Sequence, residues 1–188
     1  MSTDVTRPIA PASTIVLLRD GDSGVEILVV RRHGKSGFMA GATVFPGGKV
    51  DATDGALGEP GEAGPGFYRC AARELHEEAA VLLATRADAA QVPAEACAEV
   101  LPHLDALRDG HRIDAAAHHA LLDERGWQFD VDCLVPFAHW ITPQVEPRRF
   151  DTWFFATTAP PGQAGRLDGH ETTALGWLSA REALRRHE

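Results

Sequence analysis

The sequence is short of cysteine and of long apolar runs, and each shortage excludes a class of protein. Cys70, Cys97 and Cys133 are odd in number and widely spaced among 188 residues. That spacing suggests neither a disulfide framework nor a zinc ribbon, so we expect reduced core thiols. No stretch approaches the roughly 18 apolar residues of a membrane span, and the N-terminus lacks a signal-peptide run. A cytoplasmic protein with no membrane partner is expected.

Basic residues are also in the minority, with 18 lysines and arginines against 27 acidic residues and a formal net charge of −9. A protein of that charge repels long polyanions, so no nucleic acid polymer is expected as a partner. A small phosphorylated substrate would need local cations, namely bound metal ions and a few arginines. With 44% hydrophobic residues, we predict a flexible tail at residues 1–12 and a single domain at residues 13–188.

The predicted elements alternate between strands and helices, which indicates an α/β domain with a mixed sheet. We expect a hairpin, an amphipathic helix, a helical segment without strands, a second hairpin, a last strand and a capped C-terminal helix. In chain order these are Thr14–Leu18 with Val25–Val30, Phe67–Ala84 begun by Pro65, Ala87–Trp127 as two helices broken around Asp109-Gly110, Leu134–Ile141 with Phe150–Thr157, Thr172–Leu178, and a helix after Ser179. An insertion as long as residues 87–127 is expected to form a cap beside the pocket or a surface for a homodimer.

Three glutamates on the amphipathic helix carry the strongest chemical signal. Glu74, Glu77 and Glu78 stand at i, i+3 and i+4, so their carboxylates project from one helical face. Such charges repel one another unless a hard divalent cation lies among the oxygens, and an all-carboxylate set favours Mg²⁺ or Mn²⁺. Arg73 is expected to hold Glu77 by a charge-assisted hydrogen bond. A solvated acidic helix face is the alternative.

A glycine pair upstream of the helix favours the metal hypothesis. Gly47-Gly48 permits a tight turn that brings the loop beside the acidic face. The residues Arg73-Glu74-Leu75-His76-Glu77-Glu78-Ala79-Ala80-Val81 then resemble the signature of the Nudix hydrolases, which reads Gly, five residues, Glu, seven residues, Arg-Glu, aliphatic, any residue, Glu-Glu, any residue, Gly, aliphatic. The resemblance implies the Nudix α/β/α sandwich, with an additional helical segment after the Nudix helix. It also implies that the three glutamates bind metal.

Two departures from that signature concern the loop and the end of the helix. Asp54 stands where the signature has its first Glu, and 18 residues, from Gly55 to Ala72, replace seven, an excess of 18 − 7 = 11. Ala80 replaces the final Gly, which would let the helix run on. Neither change removes an expected metal ligand. The loop geometry and the role of Asp54 stay open.

Motifs beyond the signature resemble the Nudix branch that includes the peroxisomal coenzyme A diphosphatase. They are Phe45-Pro46-Gly47-Gly48, Asp51, Asp54, the Trp140-Ile141-Thr142-Pro143 turn, Arg148-Arg149-Phe150-Asp151-Thr152, and Glu171 before Trp177-Leu178-Ser179. The resemblance implies metal-dependent hydrolysis of a diphosphate linkage in a nucleoside-diphosphate-type small molecule, coenzyme A or an acyl-coenzyme A. An ADP-ribose or dinucleotide pyrophosphatase and a noncatalytic nucleotide-binding module are the alternatives.

The expected site combines the helix with residues from later strands. Arg73, Glu77 and Glu78 are assigned to catalysis, with Glu78 or Glu171 as the general base. The substrate-binding group is Gly47, Gly48, Arg32, Arg148 and Arg149. Since consecutive strand residues point to opposite faces, only one of the last two arginines is expected to face the pocket.

Three further patterns favour ordinary structural roles. His111, Asp114 and His118 share a helical face, but without other zinc-motif features a solvent-facing helix is favoured. The aromatic residues Trp140, Trp153, Phe154 and Phe155 favour core packing over stacking on a base. Gly34-Lys35-Ser36 lacks the first glycine of a P-loop.

Overall fold

The computed structural model describes residues 8–22, 24–32, 41–110, 112–167, 170 and 172–185. Its strands are β1 (Ile9–Gly21), β2 (Gly24–Arg32), β3 (Thr43–Val44), β4 (Gly47–Lys49), β5 (Ala84–Arg86), β6 (Arg108–Asp109), β7 (Arg112–Ile113), β8 (Trp127–Phe129), β9 (Val135–Ile141), β10 (Arg149–Thr158) and β11 (Thr172–Ser179). Its α-helices are α1 (Pro65–Ala79), α2 (Ala94–Ala106), α3 (Ala115–Asp123) and α4 (Ala180–Arg185), and Ala52–Asp54 forms a 3-10 helix.

The main sheet has seven strands in the order β11-β2-β1-β10-β9, with β3 paired to β2 and β4 to β1. β1 runs parallel to β10 and antiparallel to β2, so the predicted mixed sheet is confirmed. Both predicted hairpins are present, as β1-β2 and β9-β10. No helix among the described residues is long and apolar enough to cross a membrane.

The first strand begins earlier than predicted. β1 starts at Ile9, which lies opposite Arg149, so the predicted flexible tail is wrong for residues 9–12, and residues 1–7 lie outside the described part of the chain. Proline has no N–H and cannot donate a hydrogen bond to a strand ladder, yet Pro11 lies within β1. The carbonyl of Pro11 still takes part in backbone hydrogen bonding, because it accepts from Val50 N–H at 3.0 Å.

Two apolar clusters bury α1 on two sides. One joins Leu75 on the helix to Ile15 and Phe155 on the sheet, and all three side chains are fully buried. The other joins Ala72 to α2 and α3 through residues such as Leu104 and Leu122. The helical segment therefore packs directly against α1. The three cysteines are free thiols, of which Cys70 and Cys97 are buried and Cys133 is half-buried.

The helical segment contains the two predicted helices with Asp109-Gly110 between them, but the expected absence of strands is wrong. β6 and β7, each two residues long, form a hairpin at Gly110, whose φ is 62°. β5 and β8, which flank the segment, pair with each other. Strands of two or three residues show no alternating pattern, so periodicity does not detect them.

Helix α1 ends sooner than its sequence pattern indicates. α1 stops at Ala79, so the prediction that it continues to Ala84 is wrong. Ala80 adopts the left-handed conformation at φ 55°, and its N–H donates to His76 O at 3.0 Å. An alanine therefore performs the helix-ending turn that usually needs glycine.

Ala80→Gly is expected to raise the free energy of unfolding by about 0.5–1 kcal/mol. Glycine removes the left-handed strain of roughly 1–2 kcal/mol, and part of that gain is offset by the freer unfolded chain. Urea denaturation measures the change. The matched control is Ala98→Gly, on the exposed side of α2, which should cost about 1 kcal/mol. Equal destabilisation by both substitutions would contradict the strain argument.

Candidate active site

The three glutamates are held largely out of water. The side chains of Glu74 and Glu77 are 13% and 11% exposed, and Glu78 is 3% exposed. The alternative of a solvated acidic helix face is therefore wrong. Carboxylates this close and this buried need positive or hydrogen-bonding partners.

Each glutamate has one oxygen fixed by a protein donor. Arg73 Nη1 donates to Glu74 Oε1 at 2.9 Å and to Glu77 Oε1 at 3.2 Å, which confirms the predicted bond to Glu77. The N–H of Gly47 donates to Glu78 Oε2 at 3.1 Å. The donors thus orient the three carboxylates through contacts within the protein alone.

Arg73 is itself anchored by Asp54, the residue whose role the sequence left open. Arg73 Nε and Nη2 each lie 2.9 Å from one oxygen of Asp54, and Arg73 is 4% exposed while Asp54 is fully buried. Asp54 ends the 3-10 helix and accepts from Asp51 N–H, in a capping box. Burial opposes ionisation of Asp54, but hydrogen bonds from His119 and Arg73 lower its pKa to about 2. Asp54 was missed as a site residue, although its place in the signature pointed to it.

The glycine pair lies beside the glutamates as expected, for a different reason. Neither glycine needs a positive φ. A Cβ on Gly48 would collide with the Glu74 carboxylate, and one on Gly47 with the backbone oxygen of Ser13. Close approach, rather than a special turn, excludes side chains here.

Burial and mutual repulsion make the glutamates resist ionisation. Burial, against attraction from Arg73 and with repulsion from Glu77, raises the pKa of Glu74 to about 7. Burial also raises the pKa of Glu77. Within the described part of the chain, no three His, Cys, Asp or Glu side chains are gathered around one point as a metal ion requires. Arg73 Nη1 occupies the space between Glu74 and Glu77 instead. By chemistry the set fits a hard divalent cation, since all donors are carboxylate oxygens and added positive charge relieves their repulsion.

Two histidines of α3 join the site, and the sequence interpretation missed them. His118 was assigned to a solvent-facing helix, which is wrong, because it is fully buried with Nδ1 2.9 Å from Glu77 Oε1. His119 Nε2 lies 3.0 Å from Asp54 Oδ1. Asp114 caps α3 by accepting from Ala117 N–H, and His111 lies outside the described residues. Burial lowers the pKa of His118 to about 3, so its ring is neutral.

The arginines predicted to bind substrate lie on or beside different strands of the sheet. Arg32, at the end of β2, lies opposite Thr172, whose hydroxyl is 3.5 Å from Glu78 O. Its Nε is buried without a hydrogen-bond partner among the described residues. Glu171 falls outside the described residues.

Arg149 lies farther along the sheet. It pairs with Ile9 of β1, four positions before Trp153. Trp153 pairs with Ser13 of β1, and Ser13 pairs on its other side with Gly48 of β4. Four strand residues span about 13 Å. Arg149 shares its strand face with Trp153 and Phe155, the side that packs on α1, and its Nε donates to Thr142 O at 3.0 Å. Arg148, just before the strand, is exposed.

The aromatic residues of β9 and β10 divide between core and surface. Phe155 is fully buried and Trp153 packs near Phe67, which agrees with the core interpretation. Trp140 is 71% exposed and contacts Phe154 on the open face of the sheet, so the core interpretation is wrong for Trp140. β9 is an edge strand, which alternation alone does not reveal.

A separate cleft of about 390 Å³ lies beside the 3-10 helix, α3 and β8. Arg69, His119 and Trp127 are among its lining residues, and none of the three glutamates is. The cleft is therefore not the space in front of the carboxylates.

Comparison with known proteins agrees with this geometry. Residues 9–93, which include the glycine pair and all of α1, match the NUDIX domain family. The chain is 29% identical to acyl-coenzyme A diphosphatase NUDT19 of Gallus gallus, over 88% of this chain and 57% of that protein, and 27% identical to NUDT19 of Homo sapiens, over 85% and 55%. It thus spans just over half the length of these relatives. The crystal structure of a NUDIX hydrolase from Alicyclobacillus acidocaldarius superposes with a TM-score of 0.77 at 29% identity, covering 97% of this chain and 84% of that one. The chain is thus similar to Nudix proteins in the domain matched by residues 9–93, in sequence and in fold.

Proposed function

We propose that this protein is a metal-dependent diphosphatase that cleaves the diphosphate linkage of a nucleoside-diphosphate-type small molecule. The observation that carries the proposal is the buried carboxylate set of Glu74, Glu77 and Glu78, each oriented by a protein donor. A solvated helix face needs no such arrangement. A purely structural α/β domain is disfavoured for the same reason.

The three glutamates would hold Mg²⁺ or Mn²⁺, which when bound neutralises phosphate charge and acidifies a water molecule. Arg73 keeps Glu74 and Glu77 oriented, and Asp54 keeps Arg73 in place. The general base is either Glu78, which Gly47 N–H holds beside the loop, or Glu171. Gly47 and Gly48 let the loop lie against Ser13 and Glu74, because a side chain on either would collide there, and the backbone of this pair is proposed to face the substrate phosphate.

Coenzyme A or an acyl-coenzyme A is the substrate we propose, on the basis of the similarity to the NUDT19 proteins. ADP-ribose and dinucleotides are the alternatives, because one fold hosts many specificities. A noncatalytic nucleotide-binding module is the rival of another class. It is disfavoured because a module that only binds has no need of all three glutamates.

A substrate panel tests this proposal. Coenzyme A, acyl-coenzyme A, ADP-ribose, dinucleotides and nucleoside triphosphates are incubated with Mg²⁺ or Mn²⁺, and products are identified by mass. Cleavage of a coenzyme A substrate between its two phosphates is expected. Divalent-cation binding without product from any of these compounds would favour the noncatalytic module. Sedimentation velocity on the same protein tests the proposed homodimer.

Arg149→Lys is expected to raise KM several-fold with a smaller fall in kcat. Lysine keeps the charge but loses the planar fork that binds phosphate through two hydrogen bonds. Since Arg149 is about 13 Å along the strand from the level of Gly48, it would meet a phosphate remote from the scissile linkage. Coenzyme A has such a group in its 3′-phosphate, and ADP-ribose lacks it.

Arg148→Lys is the matched control for that clamp and should leave both constants nearly unchanged, because Arg148 lies outside the strand face that Arg149 shares with Trp153. Arg32→Lys should also raise KM, since lysine lacks the planar fork that the guanidinium at the end of β2 would offer to a phosphate. Wild-type kinetics in both Arg148→Lys and Arg149→Lys would assign the two arginines to structural roles.

A further inference from the structure

We propose that His118, carried by α3 in the helical segment, is a positioning residue that orients the carboxylate of Glu77 for a divalent cation. The inference rests on the metal-dependent function proposed above. It adds to the site a residue 41 positions away from Glu77 in the chain.

The contact between α3 and the catalytic helix is specific and buried. His118 Nδ1 lies 2.9 Å from Glu77 Oε1, and His118 Nε2 lies 2.9 Å from His76 Nδ1. Both histidines are fully buried. The His118 ring packs edge-to-face with Phe129 of β8, with ring centroids 5.4 Å apart, which helps to fix the plane of the imidazole.

The hydrogen bonds have one consistent direction. An ionised carboxylate only accepts, so His118 Nδ1–H donates to Glu77, and the bare His118 Nε2 then accepts from His76 Nδ1–H. His76 Nε2 is left as a lone pair. That atom is buried without a hydrogen-bond partner among the described residues, where an N–H would be costly. The geometry therefore describes a chain of two hydrogen bonds between neutral groups and Glu77, in which His76 donates to His118 and His118 donates to Glu77.

Among the described residues, this series leaves Oε2 of Glu77 for another ligand. Arg73 Nη1 and His118 Nδ1 both contact Oε1, so the two donors fix the plane of the carboxylate from different elements. Arg108, from the same helical segment, donates to the backbone oxygen of Glu77 at 3.2 Å. Partners that hold a ligating carboxylate typically change metal affinity or activity by about 10–100-fold when removed. The helical segment thus contributes directly to the geometry of the glutamate site.

Three variants of the 188-residue chain test this role through Mn²⁺ affinity, measured by electron paramagnetic resonance. His118→Phe keeps a planar aromatic ring but removes the donor, and should weaken Mn²⁺ binding about tenfold or more. His118→Asn places an amide N–H near the position of Nδ1 and should recover most of the affinity. Leu122→Ala removes a buried apolar contact one turn later on α3. It should lower the unfolding temperature while leaving Mn²⁺ affinity unchanged.

A second measurement does not depend on any variant folding. Ring ¹⁵N chemical shifts of the wild-type protein should identify both His118 and His76 as Nδ1–H tautomers. The positioning role is overturned if the neutral His118 ring carries its proton on Nε2, or if a folded His118→Phe variant binds Mn²⁺ with wild-type affinity. Either result leaves the proposed diphosphatase function standing. A different result separates the two proposals. If Mn²⁺ affinity depends on His118 as predicted but the wild-type protein hydrolyses no diphosphate, the proposed function is wrong and the positioning role is supported.

Discussion

Glu77→Gln and Glu78→Gln are each expected to lower kcat by about a thousandfold or more while the protein stays folded. Each substitution removes a negative charge that would hold the cation in the transition state. Glutamine keeps an amide oxygen that can accept from Arg73 or from Gly47 N–H, so the hydrogen bonds that pack these side chains are largely preserved. Steady-state kinetics with Mg²⁺ and Mn²⁺ measure the loss, and circular dichroism checks the fold.

Glu99→Gln is the matched control for the charge change, because Glu99 is exposed on α2. It should leave kcat and KM unchanged. The three-carboxylate hypothesis ends if a folded Glu77→Gln, Glu78→Gln double variant turns over substrate at nearly the wild-type rate.

Asp54→Ala is expected to lower the free energy of unfolding by about 3–5 kcal/mol, the usual cost of leaving one partner of a buried ion pair alone. Arg73 would keep Glu74 and Glu77 but lose both bonds to Asp54, and the His119 contact would also go. Activity should fall as well, since Arg73 orients two of the glutamates. Urea denaturation followed by circular dichroism measures the stability change.

The control for that substitution is Asp20→Ala, an exposed position near the β1-β2 turn, where a change within about 0.5 kcal/mol is expected. The acid side of the stability profile gives an independent check. Because the pKa of Asp54 is lowered from 3.8 to about 2, its charge stabilises the fold above pH 3.8, and that contribution is lost as pH falls through 2. The stability gap between wild type and Asp54→Asn should therefore narrow over this range. A gap that stays constant with pH would mean that the ionised form of Asp54 contributes nothing.

The features that the sequence determined by itself are those carried by local pattern. Alternating apolar strands around a Gly-rich turn were enough to predict the β1-β2 hairpin, and the spacing of Glu74, Glu77 and Glu78 placed three carboxylates on one side of α1. The Arg73–Glu77 bond follows from their i, i+4 spacing. Each of these relations spans a few residues, so helix or strand geometry alone fixes it.

The tertiary structure decided the relations that join distant parts of the chain. Asp54 reaches Arg73 across 19 residues and His118 reaches Glu77 across 41, and neither separation has a period that a sequence pattern contains. The end of α1 at Ala79 likewise belongs to the folded chain, where Arg166 N–H donates to Ala79 O at 2.7 Å, since alanine by itself favours continuing a helix. Burial made the difference for Asp54 and His118. A charged or imidazole group enclosed by α1, α3 and the sheet must find a partner, and only the folded chain determines which partner is within reach.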